Sequence, residues 1–203
     1  YWGHRNLLGR AEKLRIEGSV SSLGTTAEAK DLTWRGAVLF EKRGVLGPAS
    51  KFTSKLEVEQ ENPDAYRRFS VEAAAGVSYE LTPEQTISAG VDVEYAKLTD
   101  SFNVDLETIT VALPLEYVRD TRDSKLNPTT GTRLALLVEP AYEINGGATF
   151  VKLRAEASAY RAVDAEKRFV LAGRVAAGSI YGAGLSSVPA NRRFYAGGGG
   201  SVR

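Results

Sequence analysis

One stretch of the sequence alternates between apolar and more polar residues: Thr108-Ile109-Thr110-Val111-Ala112-Leu113-Pro114-Leu115-Glu116-Tyr117-Val118. Successive side chains of a β-strand point to opposite faces of a sheet. The odd-numbered positions of this stretch are all apolar, whereas the even-numbered positions include Thr108, Thr110 and Glu116. The stretch is therefore predicted to form one long strand with an apolar face and a mixed, more polar face.

The same alternation recurs along the chain. It predicts further strands at 13–20, 33–41, 52–59, 68–81, 86–95, 133–142, 151–159 and 168–177, and a partial strand at 1–6. Clusters rich in turn-forming residues separate several of these segments, at 22–25, 44–48, 61–64, 127–131 and 145–147. Regularly spaced strands with turn signals between them indicate an all-β sandwich or barrel.

Composition narrows the function classes. The 203 residues carry a net charge of +1, so no overall basic character supports nucleic-acid binding. The absence of cysteine excludes disulfides and thiolate metal sites. No apolar run reaches the roughly 18 residues that a transmembrane helix needs. This last point does not exclude a membrane β-barrel, because alternation of lipid-facing and lumen-facing residues keeps the average hydropathy of such barrels low.

Three features favour a transmembrane barrel over a soluble one. The predicted strands have about ten residues, which is long for a soluble sheet but matches a tilted membrane strand. Their apolar faces contain many small residues, which fill a soluble core poorly. Aromatic residues stand near the ends of the apolar faces, as in interfacial girdles. The charged faces would then line a polar lumen, and a soluble lipocalin-like binding barrel remains the alternative.

Nothing in the sequence predicts catalysis, a metal or a cofactor. His4 is the sole histidine and lacks partners at metal-ligand spacing. No nucleophile elbow accompanies it. The glycines at 197–200 are not followed by the Gly-Lys-(Ser/Thr) of a phosphate-binding loop. The sequence thus predicts no enzyme and no catalytic, cofactor-binding or metal-binding residue.

Three segments carry more specific information. The first begins Asn6-Leu7-Leu8-Gly9-Arg10-Ala11-Glu12. The second combines Arg119, Asp120, Arg122 and Asp123 with Pro128 and Gly131. The third includes Arg193, Phe194, Tyr195, Gly197, Gly198, Gly199, Gly200, Val202 and Arg203. In order and spacing they resemble motifs of the BamA/TamA superfamily of outer-membrane assembly proteins: an early barrel hairpin, a periplasmic turn, and the approach to a Val-Arg-Gly-aromatic loop that folds into the lumen.

The resemblance implies an antiparallel transmembrane β-barrel in the Gram-negative outer membrane. Residues 1–203 would form part of a C-terminal barrel domain, about ten of sixteen strands, from the second strand to the start of the lumen loop. The POTRA domains, the first strand and the last five would lie outside the chain. In the family, the loop arginine, here Arg203, contacts one of those missing strands. The motif at 119–131 is expected to be a structural turn rather than an active element.

The resemblance also implies a function and partners. Within the superfamily, the first segment and 62–66 look more like TamA than BamA. The expected role is insertion of autotransporters and other outer-membrane proteins, with a TamB-type inner-membrane-anchored partner, unfolded clients and the lipid bilayer as contacts. A BamA-type insertase, a two-partner secretion pore or a passive porin remain alternatives. Because both edges of ten strands are exposed, we expect them to pair with another chain or a second copy.

Overall fold

The computed structural model describes residues 1–21, 32–61, 66–100, 105–184, 187–189 and 192–194. Eleven strands form one antiparallel sheet. They are β1 (Trp2–Arg5), β2 (Lys13–Ser21), β3 (Thr33–Arg43), β4 (Ser50–Glu61), β5 (Tyr66–Thr82), β6 (Gln85–Asp100), β7 (Asp105–Ala112), β8 (Leu115–Asp120), β9 (Gly131–Glu143), β10 (Ala148–Ala162) and β11 (Val170–Tyr181). The predicted all-β antiparallel class is confirmed. No helix in the described part has the length and apolar character to span a bilayer.

The strands follow one another across the sheet in sequence order. The path runs β1-β2-β3-β4-β5-β6-β7-β9-β10-β11, and β8 pairs with β6 and β9, so it occupies the same position as β7. The sheet therefore has ten positions, which agrees with the predicted number of strands. Strands of 17, 16 and 15 residues (β5, β6 and β10) exceed what a tilted strand needs to span a bilayer.

The prediction of one uninterrupted strand at 108–118 is wrong at Leu113 and Pro114, which separate β7 from β8. Proline has no N–H to donate to the ladder, which explains the break. The register is the same on both sides of it: Ala112 pairs with Asp92 and Leu115 with Ala89. The two strands therefore keep the alternation of faces that the sequence predicted.

The two faces of the sheet differ as the alternation predicts. Apolar residues of one face are exposed, among them Val91, Val93, Leu136 and Val138. The opposite face, called here the polar face, carries the buried carboxylates Asp92, Glu94, Glu139 and Glu143. Charge inside and apolar surface outside is the reverse of a soluble barrel and is typical of a strand wall between lipid and a polar lumen.

The connections fall at two ends of the sheet. The turn end holds the connections at 6–12, 44–49, 83–84, 121–130 and 163–169, and the loop end holds 144–147. β11 runs from the turn end to the loop end, so the chain after Tyr181 starts at the loop end. From there it returns to the polar face, where it is described at 187–189 and 192–194; these six residues are called the return segment.

Candidate functional site: the polar face and its return segment

Alternating charges form ion pairs across the polar face. Arg35 on β3 contacts Glu17 of β2 and Glu57 of β4. Lys55 on β4 lies 2.7 Å from Glu72 of β5. Opposite charges on neighbouring strands thus reduce the cost of keeping charged groups in a confined lumen. This pairing between strands agrees with the arrangement expected from the sequence.

The polar face also borders a hollow. Its volume is about 1030 Å³, and charged side chains line it, including Lys13, Arg15, Glu41, Lys51 and Glu116. The lining comes from strands β1 to β6 with β8 and β9. The return segment occupies a different part of the face, over β6, β7, β9, β10 and β11. One part of the face is thus open and another is covered.

Val188 provides the apolar contact of the return segment. It is 2% exposed and packs in a buried cluster with Ala112 of β7, Ala141 of β9 and Phe150 of β10. Ala112 pairs with Ala141, and Ala141 pairs with Phe150, so the three strand residues form one row on the polar face. Small alanines beside a large phenylalanine leave space that Val188 fills.

Arg192 provides the charged contact. Its guanidinium bonds to Asp92, lies 3.1 Å from Glu94 through Nη2, and lies 3.3 Å from Glu139 through Nη1. The arginine side chain is 12% exposed. Asp92 and Glu94 belong to β6 and Glu139 belongs to β9, so one side chain bridges strands that are not neighbours.

Arg193 and Phe194, two predicted lumen-loop residues, lie next to it. Arg193 Nε donates a 2.9 Å hydrogen bond to the carbonyl of Val188, which closes the return segment on itself. The Phe194 ring lies over Gly178 of β11, where a Cβ would come within 2.6 Å of it. Lys152 Nζ lies 5.1 Å from the ring centroid, within cation–π range. The other predicted members of this motif, Tyr195, Gly197–Gly200, Val202 and Arg203, lie outside the described residues.

The predicted turn motif forms a compact network at the turn end. Arg122 donates to both carboxylate oxygens of Asp120, at 2.8 and 2.7 Å. Asp123 accepts hydrogen bonds from the Thr129 amide and hydroxyl and from the Thr130 amide. The Thr129 hydroxyl, followed by these amides, holds the pKa of Asp123 well below its ordinary value.

Gly131 closes this turn with a φ of 102°. A Cβ there would lie 2.7 Å from the Arg122 Cα and would clash with the Thr121 carbonyl oxygen. Pro128 lies inside the same turn, and Arg119 pairs with Leu134 of β9 and Gln85 of β6. The described contacts of this motif are those of a structural turn.

The first sequence motif forms the β1–β2 turn. Asn6 has a φ of 77°, and its side-chain oxygen accepts a 2.8 Å hydrogen bond from the Ala11 amide. Glu12 is fully buried, accepts from the Arg10 amide at 3.0 Å and lies 3.4 Å from Lys42 Nζ. The asparagine and glutamate of the motif therefore act as the side-chain acceptors that shape this hairpin.

Sequence reasoning missed Arg192 and its three acidic partners. The alternation predicts polar strand faces for Asp92 and Glu139, but nothing local links them to a residue 100 and 53 positions further along the chain. The one available signal is charge balance, because adjacent acidic residues on β6 require a cation from elsewhere. Within the described residues, no cluster of acidic or histidine side chains is arranged to hold a metal ion.

Comparisons with known proteins agree with this geometry. A curated relative, the outer membrane protein assembly factor BamA of Nitratidesulfovibrio vulgaris, is 36% identical over 98 residues, which is 48% of this chain and 12% of the relative. The crystal structure of BamA from Haemophilus ducreyi lacking POTRA domains 1–3 superposes with a TM-score of 0.79 at 15% identity, over 99% of this chain and 41% of that one. The chain thus spans a minor part of both proteins.

A family model provides the broadest match. The Omp85 superfamily domain matches residues 6–203, which includes all three sequence motifs and every strand after β1. Exposed apolar outer positions, a charged inner face and a return segment on that face fit this match. By sequence and by fold, the chain belongs to the Omp85 superfamily, a group of β-barrel proteins of the Gram-negative outer membrane.

Proposed function

We propose that this chain forms part of the barrel wall of an outer-membrane protein assembly factor. The observation that carries the proposal is the superfamily match over residues 6–203, together with a curated relative whose name is outer membrane protein assembly factor. The return segment supports it, because a segment that follows β11 lies on the polar face, with Phe194 beside Lys152 of β10. The activity is non-enzymatic: strands pair and enter lipid, and no covalent bond changes.

The physical basis of the activity is strand pairing. In lipid, every backbone N–H and C=O needs a partner, so an unpaired strand edge is unfavourable and accepts another strand readily. An incoming client strand satisfies the edge by β-augmentation. β1 and β11 are the outermost strands of the described sheet. We propose that they pair with further strands of the complete barrel, and that clients enter at a seam outside this chain.

The finer proposal is a TamA-type factor. The Asn6-Leu7-Leu8-Gly9 start and the 62–66 segment favour this sub-family, and 62–65 lie outside the described residues. Its partners would be a TamB-type inner-membrane-anchored protein, unfolded outer-membrane protein clients including autotransporters, and the lipid bilayer. We further propose that the chain forms strands two to eleven of a sixteen-strand barrel and that POTRA domains lie elsewhere in the protein. A BamA-type factor is the alternative that the relative's name favours.

Reconstitution tests the assembly proposal. The complete protein in liposomes should accelerate folding of an added, urea-unfolded autotransporter barrel, measured by heat-modifiable migration on gels. Empty liposomes and liposomes with a porin of similar size are the controls. Solute flux without faster client folding would contradict the proposal and favour a passive pore or a two-partner secretion pore. Co-purification with a TamB-type protein from native membranes would support the TamA-type assignment. Purification without such a protein would favour the BamA type.

A further inference from the structure

Three carboxylates of the polar face, Asp92, Glu94 and Glu139, surround Arg192 and are called here its receptor. Asp92 pairs across the ladder with Ala112, and Ala112 pairs with Ala141, two residues from Glu139 on the same face. The small side chain of Ala112 therefore separates the carboxylates of β6 from that of β9. This gap gives a guanidinium room to reach both sides, and a planar fork with several donors suits it better than a point charge.

Charge balance makes the receptor depend on Arg192. Arg68 also pairs with Glu94, and it lies near Glu59 and Glu61, at 3.6 and 3.5 Å. Asp92 also lies close to the carboxyl group of Glu72 on β5, which is a like charge. Among the described contacts of Asp92, Arg192 provides the paired cation, so its loss would leave this buried carboxylate uncompensated, which is strongly unfavourable. Arg192 therefore stabilises strands β6 and β9, and these strands in turn hold the return segment.

Apolar contacts flank the charged one. Val188 lies on the Ala112, Ala141 and Phe150 cluster, four residues before Arg192, and Phe194 covers Gly178 two residues after it. These neighbours reduce solvent access, so the ion pairs at 12%, 10%, 7% and 11% side-chain exposure for Arg192, Asp92, Glu94 and Glu139 are weakly screened. Removing one partner of a buried pair of this kind is strongly destabilising, because the other charge stays buried without compensation.

We propose that Arg192 is an anchor of the lumen loop that acts independently of the family's Val-Arg-Gly motif, with Asp92, Glu94 and Glu139 as its receptor. The anchor fixes the return segment to β6 and β9. The motif arginine, Arg203 by resemblance, would instead contact strands outside this chain. If the motif arginine makes that family contact, the loop has two separate attachments, and releasing one leaves the other in place. This inference concerns barrel architecture and holds for any function of the barrel.

Thiol labelling tests the anchor directly. The chain has no cysteine, so Val188→Cys introduces a single reporter, with any cysteine elsewhere in the protein replaced. In outer-membrane preparations, a water-soluble maleimide should label V188C slowly, because Val188 is buried. Adding Arg192→Ala should increase the labelling rate at least tenfold, and Arg192→Lys should increase it less. Equal rates in V188C and V188C/R192A would overturn the proposal.

Two controls separate anchoring from general damage. Arg133→Ala removes a cation that pairs with Glu156 elsewhere on the polar face, at 3.6 Å, and should leave the labelling rate unchanged. Arg203→Ala should also leave V188C protected; exposure equal to that of R192A would contradict the independence of the two attachments. Each variant must retain the heat-modifiable migration of a folded barrel.

Neutralising the receptor gives a second readout that does not use cysteine. In R192A, adding Asp92→Asn and Glu139→Gln should restore the thermal stability of the barrel, because the uncompensated charge is removed. The same changes should leave trypsin cleavage after Arg193 fast, because the anchor is still absent. Restored protection of that bond would show that Arg192 only balances charge, and would overturn the anchoring proposal.

Discussion

The turn at 121–131 and the return segment are both held by charged side chains, but over different sequence distances. In the turn, Asp123 accepts hydrogen bonds from residues six and seven positions away. In the return segment, Arg192 reaches Asp92 across 100 positions and Glu139 across 53. The turn is thus formed by neighbours in sequence, whereas the return segment exists only when β6, β7 and β9 are already assembled.

This difference indicates how each region would respond to damage. A local turn network stabilises two adjacent strands, so its loss affects the sheet where β8 meets β9. A long-range attachment adds a segment to a finished wall, so its loss releases the segment and leaves most of the ladder intact. Changes in the turn should therefore alter barrel stability, and changes under the return segment should alter local protection.

The largest effect on stability is expected for Gly131→Ala. The residue has a φ of 102°, and a Cβ would clash with backbone atoms of Thr121 and Arg122 that cannot move freely. Strain and clash together should reduce the free energy of unfolding by about 3 kcal/mol, measured by urea titration in detergent. The matched control is Gly147→Ala, which has a φ of 69° but open space around it; it should lose about 1 kcal/mol.

Gly178→Ala should have a smaller effect that is confined to the return segment. The new methyl group would overlap the Phe194 ring, a side chain that can swing away, at a cost of about 1 kcal/mol. Trypsin cleavage after Arg193 should become several times faster, with little change in the unfolding midpoint. Gly173→Ala on the opposite face of β11 has open space and should change neither measurement. If G178A lowered the unfolding midpoint and G173A did not, barrel stability and the return segment would not be separable.

Asp123→Asn should make the turn less sensitive to pH. The pKa of Asp123 is lowered in the folded state, chiefly by the Thr129 hydroxyl, relative to about 3.9 in an unfolded chain. A depressed folded pKa contributes stability above the unfolded pKa and loses it as pH falls through the folded pKa. Wild type should therefore unfold at a higher midpoint than D123N at pH 7, and the difference should begin to shrink below about pH 4 and vanish only below the folded pKa. A difference independent of pH would show that the charge of Asp123 is unimportant.

The smallest effect is expected for Lys167→Ala. Lys167 Nζ lies 3.4 Å from Asp123 and links the β10–β11 turn to the β8–β9 turn, but its side chain is 52% exposed. Exposed pairs contribute less than about 1 kcal/mol and are screened by salt. K167A should shift the unfolding midpoint slightly at low salt and not at high salt. A large shift would mean that the two turns behave as one unit.

The sequence was most informative where short-range rules apply. Period-two alternation predicted the strands and their faces, because a strand fixes the direction of every second side chain. Turn-forming residues at 127–131 predicted a connection there, whereas the motif at 119–131 came from the family resemblance. The break between β7 and β8 was missed, although Pro114 signals it, because the residues on both sides keep the alternation.

The candidate site was only partly predictable for a physical reason. Arg193 and Phe194 were predicted through motif resemblance, but the neighbouring Arg192 carries the charged contact. Whether Arg192 or Arg193 faces Asp92 depends on how the chain crosses the sheet after β11, and alternation does not determine the path of an irregular segment. The acidic partners belong to strands far away in sequence, so no local pattern pairs them with an arginine.

The Leu113–Pro114 break reduces the number of hydrogen bonds that hold neighbouring strands together. Leu113 donates to the carbonyl of Pro140, and Gly90 donates to the carbonyl of Pro114, yet neither proline has an N–H to return. Two ladder bonds are therefore missing side by side, midway between the turn end and the loop end. Amide hydrogen exchange should be faster at 111–116 than in the long β5–β6 ladder. We therefore expect the sheet to be locally less stable along this break, and the receptor for Arg192 lies directly beside it.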